Sequence, residues 1–113
     1  MNSGSWFEEF PGAVIVCDPK GIILEMNEAA AITFANDGGK ELIGKDMLAC
    51  HPEAAKTKVE VLLKEGKRNV YTIEKNGVKK LIYQSPWFQD GKYAGFVEFS
   101  LVIPESMPHF VRS

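Results

Sequence analysis

Cysteine and histidine are scarce in this chain of 113 residues, which has two of each: Cys17, Cys50, His51 and His109. Two cysteines are too few for the disulfide framework that stabilises small secreted domains, so a cytoplasmic protein is expected. A mononuclear zinc site needs about four ligands, and these residues form no paired Cys/His motif. The sequence therefore predicts neither a disulfide-stabilised domain nor a metal site.

The sequence also lacks an excess of positive charge and a long apolar run. Lysine and arginine total 13 against 15 acidic residues, a net charge of −2. A nucleic-acid-binding domain typically carries a basic excess or a basic patch. No apolar run approaches the ~18 residues of a membrane span, and residues 1–5 do not begin a signal peptide. We therefore expect no nucleic-acid or membrane partner.

Catalytic motifs are missing as well. The chain has no glycine-rich phosphate loop, no Ser/His/Asp arrangement and no HExxH helix. Cys50 and His51 are adjacent, but neighbouring residues project in different directions in a helix or a strand. They are therefore poorly placed to act as nucleophile and base, and the sequence predicts a protein that is not an enzyme.

The chain does contain the composition of one soluble domain, with 45% hydrophobic and 25% charged residues. Two apolar runs, at 13–17 and 22–26, flank the turn sequence Asp18-Pro19-Lys20-Gly21 and predict a β-hairpin. Asn27 is then expected to cap a helix over 28–35. A capping-box pattern from Ser5 to Glu8 predicts a short helix before the hairpin.

The second half of the chain predicts a helix followed by three strands. Pro52 suits the first position of a helix that ends at Gly66. The strands are expected near 69–74, 79–87 and 93–103, with Asn76-Gly77 forming the turn of a hairpin. The order is strand, strand, helices, strand, strand, strand, which indicates an α+β fold.

This order, together with three sequence blocks, resembles the PAS domain family. The blocks are 11–23 with Asn27 and Ala29-Ala30, Leu42-Ile43-Gly44-Lys45 with His51-Pro52-Glu53, and Ser85-Pro86 with 90–97. The resemblance implies the PAS fold, a five-stranded antiparallel sheet with helices packed on one face. It divides the chain into an N-terminal flanking helix at 1–12, a PAS domain at 13–103 and a C-terminal tail at 104–113.

The resemblance also implies a sensory or signal-relay module that acts by binding a small ligand, by protein contacts, or by both. A small, mostly apolar ligand would lie between helices and sheet, although the same residues could form a filled core. The residues expected there are Met47, Leu48, Cys50, His51, Leu62, Leu63, Tyr71, Tyr83 and Phe99. In the family, a histidine such as His51 before a proline is a capping and packing residue.

The cofactor is left open, but two family cofactors fit poorly. Haem-binding members use a histidine further inside the long helix, where this chain has Lys56-Thr57-Lys58. Flavin-binding members carry Gly-x-Asn-Cys where this chain has Gly44-Lys45-Asp46-Met47, which lacks the reactive thiol. Neither haem nor flavin is therefore expected.

Three functional hypotheses follow. A signalling module with no effector segment of its own would act as a homodimer, through Trp6, Phe7 and Phe10, or through an effector protein. A carrier would bind its ligand without a change in oligomeric state. A thiol-based redox sensor would use Cys50, whose pKa a helix N-terminus could lower.

Overall fold

The computed structural model describes residues 5–47, 61 and 64–113. The elements described over their whole length are two α-helices, two 3₁₀-helices and five strands. In chain order they are α1 (Ser5–Glu9), β1 (Ala13–Cys17), β2 (Ile23–Met26), α2 (Glu28–Thr33), a first 3₁₀-helix (Ala35–Asp37), a second (Gly39–Leu42), β3 (Asn69–Lys75), β4 (Val78–Gln89) and β5 (Lys92–Val102). Of the helix predicted after Pro52, the described residues Val61, Lys64 and Glu65 are helical.

The five strands form one antiparallel sheet in the order β2-β1-β5-β4-β3. This confirms the predicted α+β fold, with the early hairpin and the three late strands side by side. The first hairpin turns as expected, because the Asp18 carboxylate accepts hydrogen bonds of 2.9 Å from the backbone N–H groups of Lys20 and Ile22. Asn76 and Asp90 adopt positive φ of 54° and 52°, which suits the two later two-residue turns.

One face of the sheet, here called the inner face, is covered by α2 and the second 3₁₀-helix. Ala13, Ile15 and Cys17 of β1 point to this face and pack in one buried cluster with Phe96 of β5. The helix residue Ala30 completes the contact and is fully buried. The alternation of side chains along a strand therefore places the main core on this side.

The opposite face, here called the outer face, is covered in part by α1. Phe7 is buried in a second cluster with Val14 and Val16, and Val97 and Phe99 pack against them. The sequence predicts Phe7 as a candidate residue of a dimer interface. The side chain of Phe7 packs on the sheet of its own chain.

Asn27 joins the first hairpin to α2. Its side chain is completely buried, and its Oδ1 accepts hydrogen bonds from the backbone N–H of Ala30 at 3.0 Å and of Val14 at 2.9 Å. Its Nδ2 donates to the carbonyl of Gly12 at 2.8 Å. The predicted N-cap is confirmed, and the same side chain also fixes the start of β1 against the start of α2.

Candidate functional site

Three polar side chains form a row across the inner face, where an apolar core would be expected. Asn69, Gln84 and Glu98 lie opposite one another on β3, β4 and β5, and the next residue in the row is Ile15 of β1. Residues opposite each other in paired strands point to the same face, so the register alone brings these side chains together. We call Asn69, Gln84 and Glu98 the polar ladder.

Hydrogen bonds run along the polar ladder in one direction. Asn69 Nδ2 donates to Gln84 Oε1 at 2.9 Å, and Gln84 Nε2 donates to Glu98 Oε1 at 2.6 Å. Gln84 is buried and Glu98 is half-buried, so the ladder leads from the edge strand to a carboxylate in the interior. Because the Gln84 amide donates to it, the carboxylate is held in one orientation and its charge is stabilised.

An apolar cavity is lined in part by the side chain of Glu98. Its volume is about 10 Å³, close to the space of one water molecule. Its other walls are apolar side chains from β1, β2, the segment after α2 and the loop before residue 48: Ile15, Ile23, Met26, Phe34, Leu42 and Met47. The site therefore combines one oriented carboxylate with apolar walls.

Backbone hydrogen bonds position the cavity walls that Leu42 and Met47 provide. Leu42 is carried by the second 3₁₀-helix, and the backbone after it is tied to β2 because the Gly44 N–H donates to the Ile23 carbonyl at 2.7 Å. The Met47 N–H donates to the Gly21 carbonyl at 2.8 Å. Backbone hydrogen bonds to the first hairpin thus hold Leu42 and Met47 over the inner face.

Two titratable side chains near the site have raised pKa values. Burial raises the pKa of the Cys17 thiol to about 11, and its Sγ contacts Met47 Sδ at 3.4 Å. The pKa of the Tyr71 hydroxyl is also raised, first by burial and then by the negative charge of Glu98. Both groups are therefore neutral at physiological pH.

The structure corrects the predicted pocket at two positions. Phe99 packs against the outer-face cluster of Phe7, and Tyr83 lies opposite Phe99 in the β4–β5 pairing. Both side chains are therefore on the outer face, on the other side of the sheet from the cavity. On the outer face, the Tyr83 hydroxyl oxygen accepts a hydrogen bond of 3.3 Å from Arg68 Nη1. The prediction was wrong for Tyr83 and Phe99 because it grouped them with Tyr71, which lies on the inner face.

The remaining predicted pocket residues divide into two groups. Met47 lines the cavity, and Tyr71 lies on the inner face beside the polar ladder with 40% of its surface exposed. Five predicted residues lie outside the described part of the chain: Leu48, Cys50, His51, Leu62 and Leu63. Sequence reasoning missed the polar ladder, although Glu98 and Gln84 were visible as polar residues inside strongly apolar strands.

The predicted dimer residues behave differently from one another. Phe7 is 6% exposed and belongs to the chain's own core, so its side chain offers little surface to a second copy. Trp6 is 56% exposed, and its ring makes edge contacts to Phe7 at 5.6 Å and to Phe10 at 5.9 Å between centroids. Trp6 and half-buried Phe10 therefore remain the apolar surface that α1 presents.

Metal-binding clusters and membrane-spanning helices are both absent from the part of the chain that the structure describes. Within 5–47, 61 and 64–113, no three His, Cys, Asp or Glu side chains are grouped so that they could hold a metal ion. In the same part of the chain, no helix has the length and apolar character that crossing a bilayer requires.

Comparison with known proteins shows similarity at the level of structure. No protein-family model matches the sequence, and no curated protein matches it. The Aer2 receptor of Vibrio cholerae, described as a dual PAS-heme oxygen sensor, aligns with a TM-score of 0.64 and 16% identity over 82% of this chain and 95% of that one. The PAS domain of Bordetella pertussis BvgS aligns with a TM-score of 0.62 and 19% identity over 88% and 82%.

A third similar structure is the PAS domain of an HTR-like protein from Haloarcula marismortui. Its TM-score is 0.61 at 18% identity, over 87% of this chain and 86% of that one. The three identities are too low to transfer a ligand or an activity, but all three structures align over more than four fifths of this chain with TM-scores above 0.6. The chain has the PAS fold.

Proposed function

We propose that this domain is a sensory module that binds a small, mostly apolar ligand on the inner face and relays its binding through protein contacts. The observation that carries the proposal is half-buried Glu98, whose carboxylate accepts a hydrogen bond from Gln84 and whose side chain lines part of an apolar cavity. Small-molecule sites combine apolar walls with a few placed polar groups, as this site does. A core that served packing alone would gain nothing from a charge at this place.

The chemistry of the site suggests what the ligand carries. Glu98 accepts hydrogen bonds and offers a negative charge, so the ligand would present a hydrogen-bond donor or a cationic group to it. Its apolar body would contact Ile15, Met26 and Leu42. A charge-assisted hydrogen bond of this kind contributes about 1.5–3 kcal/mol, which is enough to orient a small molecule.

The size of the cavity suggests how binding would be sensed. A space of about 10 Å³ holds no molecule larger than water, so a ligand must displace part of the wall. The second 3₁₀-helix is the short element over the site, and glycines with positive φ flank it at Gly38 and Gly44. A ligand that binds the displaced state better than the closed one would shift the population between them.

Relay would use the surface of α1 and the outer face, as a homodimer or with an effector protein. Trp6 is the large exposed side chain of α1, and Phe10 lies beside it. The fold neighbours support this only by analogy: Aer2 is described as a receptor and an oxygen sensor, and a fold alone does not fix function. Of the two histidines of this chain, His109 lies exposed in the tail, which gives haem no support.

Native mass spectrometry of the purified full chain, with an absorbance spectrum, tests the proposal. We expect a bound small molecule in the wild type, with occupancy reduced at least tenfold in Glu98→Gln. Glu74→Gln makes the same change on the exposed side of β3 and should retain the wild-type occupancy. A wild type without a bound molecule, or equal occupancy in Glu98→Gln, would contradict ligand sensing at this site.

The same measurement separates sensing from simple carriage. A sensory module predicts that removal of the ligand changes the subunit count or the binding of a partner. A carrier predicts a tightly bound ligand and the same subunit count with and without it. Cys50 stays a third hypothesis, as a redox-sensing thiol, and lies outside the described residues.

A further inference from the structure

A groove lined by both apolar and charged residues lies away from the inner-face site, between α2, the segment before β1, the start of β4 and the end of β5. Two depressions of about 220 and 390 Å³ adjoin there and share Pro11, Ala29 and Ile32. We call it the α2 groove. Ile32 is 70% exposed, and Val102 on the opposite wall is 69% exposed. Large apolar side chains exposed along one depression are typical of a surface that binds something.

The C-terminal segment, residues 104–113, is a second exposed apolar feature of the same molecule. Met107 is 57% exposed, Phe110 68% and Val111 90%. The segment has no helix or strand, and none of its residues lines the α2 groove. An apolar groove and an apolar segment therefore both face solvent in the single chain.

The groove and the C-terminal segment each carry opposite charges at their two ends, so that acidic residues of one can face basic residues of the other. The groove has Lys80 at one end and Glu9 with Glu28 at the other, separated by the apolar residues. The segment has Glu105 near its start and Arg112 near its end, and the residues between them are mostly apolar, with Ser106 and His109 as the polar exceptions. Seven extended residues span roughly 23 Å. If the segment lies along the groove with Glu105 at Lys80 and Arg112 at Glu9 and Glu28, an acid faces a base at both ends. The apolar residues between them are then in contact.

The segment is also partly preorganised for binding. Pro104 and Pro108 restrict the residues before them to extended conformations, so less conformational entropy is lost when the segment is bound in extended form. Arg112 lies over the ring of Phe110, with 5.2 Å from its guanidinium carbon to the ring centroid. A bound segment would exchange this contact for the glutamates of the groove.

We propose that the α2 groove binds the C-terminal segment of a second copy of this chain, so that two copies exchange their tails reciprocally. Phe110 and Val111 would lie on Ala29 and Ile32, and Arg112 would pair with Glu9 and Glu28. Glu8 is not assigned to Arg112, because its carboxylate forms an ion pair with Lys40. Each copy offers one groove and one tail, so a two-fold symmetric dimer satisfies both contacts.

The path of the chain favours a second copy over the chain's own tail. Val102, the last residue of β5, is itself a wall of the groove, and the next residue stays bonded to β4 because the Ile103 N–H donates to the Lys79 carbonyl at 3.0 Å. The chain then bends at 105–106 and continues outside its own groove. Entry into the groove in cis would require this strand end to reverse.

Sedimentation equilibrium of the full chain over a concentration series tests the proposal. We expect a monomer–dimer equilibrium in the wild type. Ile32→Asp in the groove and Arg112→Glu in the tail should each raise the dimer dissociation constant at least tenfold. Ile43→Asp places the same charge on an exposed isoleucine outside the groove and should leave the constant within twofold.

Folding and charge are checked separately. Arg112→Glu changes an exposed tail residue, so it tests the contact even if Ile32→Asp unfolds the domain. Combining Glu9→Lys with Arg112→Glu should restore at least part of the dimerisation, because the pair is reversed as a unit. The proposal is overturned by a monomer at every concentration, by tail docking within a single chain, or by a dimer that Trp6→Ala abolishes and the groove and tail variants do not weaken.

Discussion

Replacement of Asn27 by alanine gives the most direct test of how the first hairpin is held to α2. The side chain is fully buried and makes hydrogen bonds to the backbone of Ala30, Val14 and Gly12. Loss of the helix cap costs about 1 kcal/mol. The Val14 N–H and the Gly12 carbonyl would also lose their partner in the interior, at about 1–3 kcal/mol each. We therefore expect Asn27→Ala to lower the free energy of unfolding by about 3–7 kcal/mol.

A second substitution at the same position separates the acceptor from the donor. Asn27→Asp keeps an oxygen for the Val14 and Ala30 N–H groups but replaces the donor that faces the Gly12 carbonyl at 2.8 Å. A carboxylate is repelled there, whereas a protonated acid can donate. The pKa of the new acid should therefore lie above the ordinary value of about 3.9. A raised pKa in the folded state means that stability is present at low pH and is lost as pH rises from about 4 towards 7.

Urea unfolding followed by circular dichroism measures both effects. With a slope of about 1–2 kcal/mol per molar urea, Asn27→Ala should lower the midpoint by at least about 1.5 M. Asn36→Ala, at an exposed asparagine, is the matched control and should cost less than about 0.5 kcal/mol. A cost below about 1 kcal/mol for Asn27→Ala, or no pH dependence of the Asn27→Asp deficit, would refute the role assigned to this side chain.

Two other predictions concern the sheet next to the site. Gly95→Ala should destabilise the domain by about 3 kcal/mol or more in urea unfolding, because φ is +138° and a Cβ would lie 1.9 Å from the Cys17 carbonyl oxygen. The control Gly91→Ala, at a positive φ with open space around it, should cost only about 1 kcal/mol. Equal costs for the two substitutions would contradict this prediction. Iodoacetamide at pH 7.5 should label Cys50 well before Cys17 in the folded protein, because a pKa of about 11 leaves roughly 0.03% of the Cys17 thiol ionised. Slow and equal labelling of both thiols, read by peptide mass spectrometry, would remove the hypothesis of a redox sensor at Cys50.

Local sequence signals predicted the elements that depend on local interactions. The turn from Asp18 to Gly21 and the cap at Asn27 each follow from a short-range hydrogen bond of one side chain to nearby backbone. The hairpin at Asn76-Gly77 also contained the information that separates the two predicted tyrosines. A two-residue turn pairs Lys75 with Val78, so Tyr71 lies opposite Ile82. Its side chain is therefore on the opposite face of the sheet from that of Tyr83.

The sequence shows Gln84 and Glu98 as polar residues in apolar strands, but their pairing could not be predicted, because it depends on a β-bulge for which the local sequence gives no signal. Near the last turn, Gln89 pairs with Lys92 and Phe88 with Tyr93, but beyond it Trp87 pairs with Gly95. The extra residue in β5 shifts the register by one, which exchanges the faces of every later pair. Without it, Gln84 would lie opposite Val97, and the amide could not reach the carboxylate of Glu98.

Gly95 explains why the bulge forms at this place. The backbone there has a φ of +138° and passes so close to the Cys17 carbonyl that no side chain fits, and the Trp87 indole N–H donates to the same carbonyl at 3.1 Å. The contact joins β1 to the β4–β5 hairpin and fixes the shifted register. A glycine whose importance lies in a contact about eighty residues away carries no local signal. The site of this protein therefore arises from tertiary contacts, although its strands and turns arise from local ones.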